Sequence, residues 1–377
     1  MKTFTITNTN HRNLDGLRAI GILMVIIHHF YGEIVNTTVL WTSIDLLFAL
    51  SGLLITGILV ETKDDPKYFK KFYMRRILRI FPLYYLLIFL FSLYVYVLTL
   101  HPEIFTYFKS NIIYFLTYTQ NWYFINSGLP NPQHINHTWT LAIDEQIYLV
   151  WPFLIWICKN QRQLIALCVS TLLFSLLFRL GYNIHIENVG SLHPFPFFHN
   201  TLCRLDSFAA GSLLYCLLRY KADWLTNKKM FIVFVVTSLI FISLGIGDHS
   251  FDKAGYFMKN FGCTIAGIHF STWLFFCVKN INPTLNYVCS NKWLVYTGKI
   301  SYSLYVFHAF LLILLLPKIG ILFTSITGIT SQIMALTICL VLTFVVSILS
   351  YQFFEKPFMN LKNKFNYKQN TIEKAKN

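Results

Sequence analysis

Arg18 and His29 lie eleven residues apart in the hydrophobic stretch NLDGLRAIGILMVIIHHF, residues 13–30. On an α-helix eleven residues make three turns plus about 20°, so both side chains share one face and lie about 16 Å apart along the axis. His28 points about 80° away from Arg18. An ionisable side chain inside a membrane helix is costly and points to function, and imidazole transfers protons near neutral pH. The pair therefore predicts an anion site and a deeper proton acceptor.

A second basic cluster, YMRRILRIFPLYY, places Arg76 and Arg79 three residues apart, so they are neighbours on a helix surface. Arginine forks match phosphate oxygens, and two or three of them beside Arg18 would bind a polyanion. We interpret Arg75 in the same cluster as a membrane-orientation signal. A phosphate site about 16 Å from a buried histidine suits a long, thin ligand. Acyl-coenzyme A, with a nucleotide at one end and a thioester at the other, has that shape.

The composition indicates whether these residues lie in a membrane protein or a water-soluble one. Of 377 residues, 55% are hydrophobic and only 12% are charged, which is typical of a membrane protein. Stretches near the twenty apolar residues that a bilayer requires predict an all-α, polytopic membrane bundle of about ten transmembrane helices. The predicted spans are residues 14–32, 40–60, 77–99, 138–158, 163–181, 200–218, 229–246, 254–278, 293–316 and 331–354. A shorter aromatic patch at 111–124 predicts an interfacial or re-entrant segment.

The basic residues predict how the chain is oriented. With ten spans and a cytoplasmic N-terminus, 22 of the 31 Lys and Arg residues fall on the cytoplasmic side and only four on the outer side. Both termini are therefore expected in the cytoplasm, and the loop from His101 to His137 outside. The net charge of +15 is explained by loops that lie against anionic lipid headgroups, so no nucleic-acid partner is needed.

The chain reads as one integral-membrane domain, residues 1–358, followed by a basic cytoplasmic tail, 359–377, that we expect to be disordered. The eight cysteines are scattered and mostly inside predicted helices, which predicts neither disulfides nor a zinc site. No metal site is expected.

Several segments, in order along the chain, resemble patterns of the acyltransferase 3 family of integral-membrane acyltransferases. The resemblance covers Leu14 to Phe358. One family motif, an arginine and a histidine separated by ten residues, matches Arg18 and His29. Another, Arg-x-x-Arg, matches Arg76 and Arg79. Thr140, Ala142 and Asp144 depart conservatively from the family pattern. The other matching segments are SIDLLFALSGLLITG (Asp45, Ser51, Gly52), TWTLAIDEQIYLVWP (Trp139, Glu145, Gln146, Tyr148), RLDSFAAG (Arg204, Asp206, Gly211), ISYSLYVFH (Ser301, Tyr302, His308) and YQFFEKP (Glu355, Pro357).

The resemblance implies transfer of an acyl group, commonly acetyl, from cytoplasmic acyl-CoA to a hydroxyl group. The implied acceptor is a cell-surface or lipid-linked glycan such as lipopolysaccharide O-antigen or exopolysaccharide, in the bacterial cytoplasmic (inner) membrane. Acyl-CoA is a substrate, and no cofactor is expected to stay bound. The chain ends about twenty residues after its last predicted helix, so it resembles members without an extracytoplasmic hydrolase-like domain.

The expected roles follow from this chemistry. His29 is the expected general base or transient acyl acceptor, because the hydroxyl must lose a proton. Glu145 or Asp45 is expected to orient its imidazole, and the sequence leaves both open. Arg18, Arg76 and Arg79 are expected to bind the phosphates of the donor.

Four residues are candidates for acceptor binding, and three of them have a structural alternative. Arg204 and Asp206 either contact the acceptor or form a structural pair. His308 either contacts the acceptor or bonds to a neighbouring helix. Trp139 belongs to the same group through the resemblance.

Two other function classes remain open on the residues alone. A secondary transporter or proton-coupled permease also uses intramembrane Arg, His, Asp and Glu, but usually shows internal repeats or broken helices in corresponding halves. Neither feature is detected here. A non-catalytic scaffold would leave the placement of His29 unexplained.

Overall fold

The computed structural model describes residues 4–6, 12–98, 102–128, 134–191, 193, 195–248, 251–323 and 328–366. Throughout these ranges the regular secondary structure is helical, with no strand. The ten longest helices, of 16 to 29 residues, correspond to the ten predicted spans. In the lists below, helices are numbered α1 to α16 in chain order.

The first half of the chain contains eight helices. They are α1 (Arg12–Tyr31), α2 (Ser43–Glu61), α3 (Tyr68–Leu93), α4 (Pro102–Leu116), α5 (Gln120–Ser127), α6 (Trp139–Ile157), α7 (Gln161–Val189) and the short α8 (Pro196–His199).

The second half contains eight more. They are α9 (Leu205–Tyr220), α10 (Asn227–Gly247), α11 (Cys263–Lys279), α12 (Pro283–Cys289), α13 (Lys292–Lys299), α14 (Ser301–Gly320), α15 (Ile329–Leu349) and α16 (Lys356–Leu361). Three π-helical turns adjoin α3, α11 and α15: Tyr94–Leu98, Met258–Gly262 and Ser350–Glu355.

The expected all-α polytopic bundle is confirmed. Nine helical segments among the described residues are long and apolar enough to cross a membrane. The remaining predicted span, 200–218, corresponds to α9, which has 16 residues, eleven of them buried. The apolar patch at 111–124 falls on the end of α4 and the start of α5, which meet at Tyr118, a residue with positive φ.

α9 lies in the interior of the bundle, where it packs against α2, α7 and α11. Glycines on α2 and α9 allow these two helices to approach each other very closely. A Cβ on Gly52 would lie 1.9 Å from the Phe208 carbonyl oxygen, and one on Gly211 would lie 1.8 Å from the Ala49 carbonyl oxygen. Small residues let membrane helices approach until their backbones touch. α2 and α9 therefore form a tightly packed pair that supports the helices around them.

The C-terminal segment is ordered further than the sequence indicated. The predicted tail starts at residue 359, yet α16 continues to Leu361 and a 3₁₀ turn follows over Lys362–Phe365. Arg75 donates hydrogen bonds to the Lys362 carbonyl and the Asn366 side chain. Residues 367–377 lie outside the described residues, so the disorder predicted for them stays a prediction.

Candidate active site

One face of α1 lines two separate cavities. Asp15, Arg18 and Ile22 line the first, and His29, farther along the helix, lines the second together with Glu33, which follows the end of the helix. The spacing of three to seven residues from Asp15 to His29 keeps the helical side chains on one stripe of α1. The structure thus places Arg18 and His29 on the same face, but in different cavities.

The first cavity, here called the arginine cavity, is enclosed by α1, α2, α3, α6 and α14 and has a volume of about 530 Å³. That volume is within the range of small-molecule sites. Its charged and hydroxyl-bearing lining residues are Asp15, Arg18, Ser51, Arg75, Arg76, Arg79, Thr140, Asp144, Glu145, Tyr148, Ser301, Tyr302 and Tyr305.

The arginines of this cavity differ in how they are held. Arg18 donates to Asp15 Oδ1 at 2.7 Å. The Arg76 guanidinium lies 5.3 Å from the centre of the Tyr148 ring, within the range of a cation–π contact. Arg79 forms no ion pair with any residue that the structure describes. Gathered guanidiniums of this kind suit phosphate groups, which they bind in a bidentate manner.

Asp144 and Glu145, one after the other on α6, also face the arginine cavity. Asp144 Oδ1 and Glu145 Oε1 are buried and accept no hydrogen bond from the described part of the chain. Glu145 was one of two carboxylates expected to orient His29. It lies instead in the cavity that His29 does not line.

The second cavity, here called the histidine cavity, lies between α1, α14 and α15 and has a volume of about 700 Å³. Its polar lining residues are His29, Glu33, Asn136, His137, Ser331 and Gln332. The remaining lining is apolar and includes Phe30, Leu312 and Leu336. The cavity therefore offers a few hydrogen-bonding groups on an apolar wall, as ligand sites commonly do.

His29 has a fixed tautomer. Its Nδ1 lies 2.9 Å from the Val25 carbonyl oxygen, which can only accept, so Nδ1 carries the proton. Nε2 then keeps a lone pair and can take up a proton. The Val25 carbonyl therefore does what we expected Glu145 or Asp45 to do. His28 is turned away, and its Nδ1 lies 3.1 Å from the Thr37 hydroxyl.

Two more histidines stand beside His29. The His308 ring centre lies 4.9 Å from that of His29 and 4.8 Å from that of His137. His308 Nδ1 donates to the Tyr305 carbonyl at 2.6 Å, and His137 Nε2 donates to the Val306 carbonyl at 3.1 Å. His308 Nε2 and His137 Nδ1 are buried and have no partner among the described residues. His308 thus lies beside His29.

Hydrogen bonds connect the linings of the two cavities. The Thr140 and Tyr305 hydroxyls, which face the arginine cavity, are hydrogen-bonded to each other. Tyr305 also donates to the His137 carbonyl at 2.7 Å, and His137 lines the histidine cavity. No described residue lines both cavities. Thr140, Tyr305 and His137 are called the wall below.

Sequence reasoning missed the wall and Asp144, the neighbour of Glu145. Thr140 and Asp144 were noted only as departures from a family pattern, and His137 was placed in a loop. One signal was available: Thr140 and Asp144 are four residues apart, so they share one face of α6. Tyr305 gave a similar signal, since it lies three residues before His308.

Asp45, Arg204 and Asp206 lie away from both cavities, in a fully buried network between helices. Arg204 Nη2 lies 2.9 Å from Asp45 Oδ1, and Arg179 Nη1 lies 2.7 Å from Asp206 Oδ2. Ser207 also donates to Asp45 at 2.6 Å. Of the two alternatives for Arg204 and Asp206, acceptor contact or a structural pair with each other, the described structure shows neither, since each has a partner on another helix. This network joins α2, α7, α9 and α11.

Trp139 also lies outside the cavities. Its ring packs against Phe198 at 5.0 Å and His199 at 4.6 Å between ring centres. The described residues contain no group of three or more His, Cys, Asp or Glu placed to hold a metal ion.

Comparison with known proteins bears on what this geometry does. Residues 11–352 match the family described as "Acyltransferase domain" (Acyl_transf_3). The chain is 27% identical over 362 residues to the peptidoglycan O-acetyltransferase OatA of Listeria monocytogenes, covering 92% of this chain and 55% of that protein. It is 28% identical over 369 residues to YrhL of Bacillus subtilis, which is provisionally named a peptidoglycan O-acetyltransferase. That alignment covers 91% of this chain and 54% of YrhL.

A protein of Staphylococcus aureus (strain COL), provisionally named an O-acetyltransferase, is 26% identical over 368 residues, with 92% of this chain and 56% of that protein covered. The chain thus spans about half the length of the curated relatives that it matches. No solved structure shows significant similarity to it. Because the family match extends over nearly the whole bundle and includes both cavities, the chain belongs to the acyltransferase 3 family of membrane acyltransferases.

Proposed function

We propose that the chain transfers an acetyl group from a coenzyme A thioester to a hydroxyl group of a cell-surface glycan. The observation that carries the proposal is His29. The Val25 carbonyl holds its proton on Nδ1, so Nε2 is free to act as a base, and its ring lines one cavity beside the wall of the other. Membership of an acyltransferase family decides against the transporter alternative.

The arginine cavity is the proposed donor site. Arg18, Arg76 and Arg79 gather positive charge that suits the phosphates of coenzyme A. The thioester end would then point toward Thr140 and Tyr305. For the thioester to meet His29, the hydrogen bond between these two hydroxyls has to open.

The histidine cavity is the proposed acceptor site. It lies on the other side of the wall, and its polar groups can orient a sugar hydroxyl toward His29. Two relatives are named for peptidoglycan O-acetylation, so we favour peptidoglycan over lipopolysaccharide O-antigen or exopolysaccharide as the acceptor.

The chemistry needs one proton acceptor that later becomes a donor. His29 Nε2 takes the hydroxyl proton while the oxygen attacks the thioester carbon. The carbon–sulfur bond then breaks, and the proton on His29 passes to the departing thiolate. The products are an acetyl ester and coenzyme A, and His29 returns to its neutral form.

We also propose that both termini and the arginine cavity face the cytoplasm, where acyl-CoA is available. The excess of Lys and Arg in the loops at that end supports this orientation. Single cysteines placed between Lys63 and Lys71 should be inaccessible to a membrane-impermeant thiol reagent in intact cells. Labelling there from outside would reverse the orientation.

The activity is tested with the purified full chain in detergent, acetyl-CoA and defined glycans. The panel would hold muropeptides, an O-antigen oligosaccharide and an exopolysaccharide fragment, with mass spectrometry of each product. Acetylation of muropeptides, absent with a His29→Gln variant, is the expected result. Acetylation of another glycan alone would change the acceptor, and no transfer to any glycan despite donor binding would contradict the proposed activity.

A further inference from the structure

The acidic pair on α6, Asp144 and Glu145, has buried oxygens that nothing in the described chain satisfies. Asp144 Oδ1 and Glu145 Oε1 line the arginine cavity without a hydrogen-bond donor. A buried acceptor left without a partner destabilises the protein, because it has lost its hydrogen bonds to water. These oxygens are therefore suited to hydrogen-bond donors that arrive with a ligand.

The arginines of the same cavity do not neutralise the pair. Neither carboxylate forms an ion pair with a described residue, although four arginines line the cavity with them. Asp15, by contrast, pairs with Arg18 at 2.7 Å. The cavity thus contains cationic groups and acidic acceptors that are not ion-paired with each other, which suits a ligand with an anionic end and a separate donor-rich segment.

The position of the pair along α6 fits such a ligand. Tyr148, under the Arg76 guanidinium, and Thr140, in the wall, are eight residues apart, or about 12 Å along the helix axis. Asp144 lies halfway between them, at about 6 Å from each along the axis. A molecule whose phosphates bind the arginines and whose reactive end reaches the wall must pass these two carboxylates.

We propose that Asp144 and Glu145 bind the two amide N–H groups of the donor's pantetheine arm. The inference rests on the proposed function, in which acyl-CoA occupies this cavity. Between its phosphates and its thioester, that arm carries two secondary amides, each with one N–H donor. A carboxyl group can accept such a hydrogen bond whether it is ionised or protonated. The pair fixes how deep the arm is inserted, and so where the thioester meets the wall.

The test separates the arm from the nucleotide. Purified full chain in detergent is titrated with acetyl-CoA and with adenosine 3′,5′-bisphosphate, which carries phosphates but no arm. Glu145→Leu and Asp144→Leu should each raise the Kd for acetyl-CoA about 10- to 100-fold and leave that for the bisphosphate within about twofold. Glu145→Gln keeps an acceptor oxygen and should lose much less. Arg79→Ala is the matched control and should weaken both ligands.

A second measurement uses only the wild-type chain, in case a leucine variant does not fold. An acetyl-CoA analogue with both arm amides N-methylated keeps its carbonyls and phosphates but donates no N–H. It should bind about 10-fold or more weakly than acetyl-CoA. Equal affinity for the two, or equal losses of both ligands in Glu145→Leu, would overturn the assignment. Wild-type chain that binds neither acetyl-CoA nor the bisphosphate would instead contradict the proposed donor site.

Discussion

Two clusters of arginines and carboxylates lie inside this bundle, and they differ in whether their charges have partners. In the buried network every Arg179 nitrogen has an acceptor: the Asn260 and Cys203 carbonyls, Asp206 and Thr264, at 2.5–3.0 Å. In the arginine cavity, Arg79 has no ion pair within the described chain and Glu145 Oε1 has no donor.

This difference separates two uses of charged residues inside a membrane bundle, joining helices and binding a ligand. Both clusters contain residue types that a hydrophobic segment excludes unless they are useful. A fully buried set in which each arginine is ion-paired to a carboxylate joins helices, although Asp45 Oδ2 and Arg204 Nε lack a hydrogen-bond partner among the described residues. A set that borders a cavity and contains arginines and carboxylates without an ion pair is arranged for a ligand. Asp45, Arg204 and Asp206 belong to the first kind, although the family resemblance had suggested them for the site.

Removing a partner from the buried network should have the largest effect. Arg179→Ala leaves Asp206 charged and unpaired in the interior, which costs about 3–5 kcal/mol. Because a folded protein is stable by only about 5–15 kcal/mol, little monodisperse protein should be recovered by size-exclusion chromatography. Arg179→Met with Asp206→Leu removes both charges and should recover more protein than the single variant. Normal yield and thermal stability of Arg179→Ala would show that the pairing is not structural.

Removing the base should abolish most turnover without affecting the fold. His29→Gln should lower the rate of acetyl transfer by about 10²- to 10⁴-fold, the usual contribution of a positioned acid or base, while acetyl-CoA still binds. His28→Gln is the matched control, since its side chain bonds to Thr37 and lines neither cavity. Equal losses of rate in the two variants would show that His29 has no special role.

Removing a cavity arginine should weaken the donor rather than the fold. Arg79→Ala deletes charged hydrogen bonds worth about 1.5–3 kcal/mol each, so the Kd for acetyl-CoA should rise about 10- to 100-fold. The thermal unfolding midpoint should stay close to that of the wild type. An unchanged Kd would place the phosphates elsewhere.

The smallest effect is expected at Arg75, one residue before Arg76. Its guanidinium is already bonded to the Lys362 carbonyl and to Asn366. Arg75→Ala should therefore change donor affinity by no more than about 1 kcal/mol, comparable to a surface ion pair. A loss as large as that of Arg79→Ala in the same titration would move Arg75 into the donor site.

Local periodicity predicted the helices well because a membrane span needs about twenty apolar residues in a row. It also placed Arg18 and His29 on one face of α1, since three turns of a helix fix that relation. α9 was predicted at nearly full span length, because hydropathy cannot tell a 16-residue helix held inside the bundle from one that contacts lipid. Contacts between distant segments decide that point.

The sequence could not predict which side chains pair or share a cavity, because this too depends on contacts between distant segments. Arg204 and Asp206 are two residues apart and looked like a pair, yet they point to α2 and α7. Glu145 and His29 looked like an acid and a base of one site, yet they border different cavities. Spacing along one helix fixes directions, but which neighbour meets each side chain depends on how the helices pack.

The wall between the two cavities also has an electrical consequence. Joined together, the cavities would form a water path along much of the bundle. One elementary charge crossing a membrane potential of 100 mV changes energy by about 2.3 kcal/mol, so protons and ions would run through such a path. The hydroxyls of Thr140 and Tyr305 are bonded to each other and to the His137 carbonyl. In the proposed reaction these bonds would keep the donor and acceptor sites from joining into one open path, and so would prevent ions from leaking across the membrane through the enzyme.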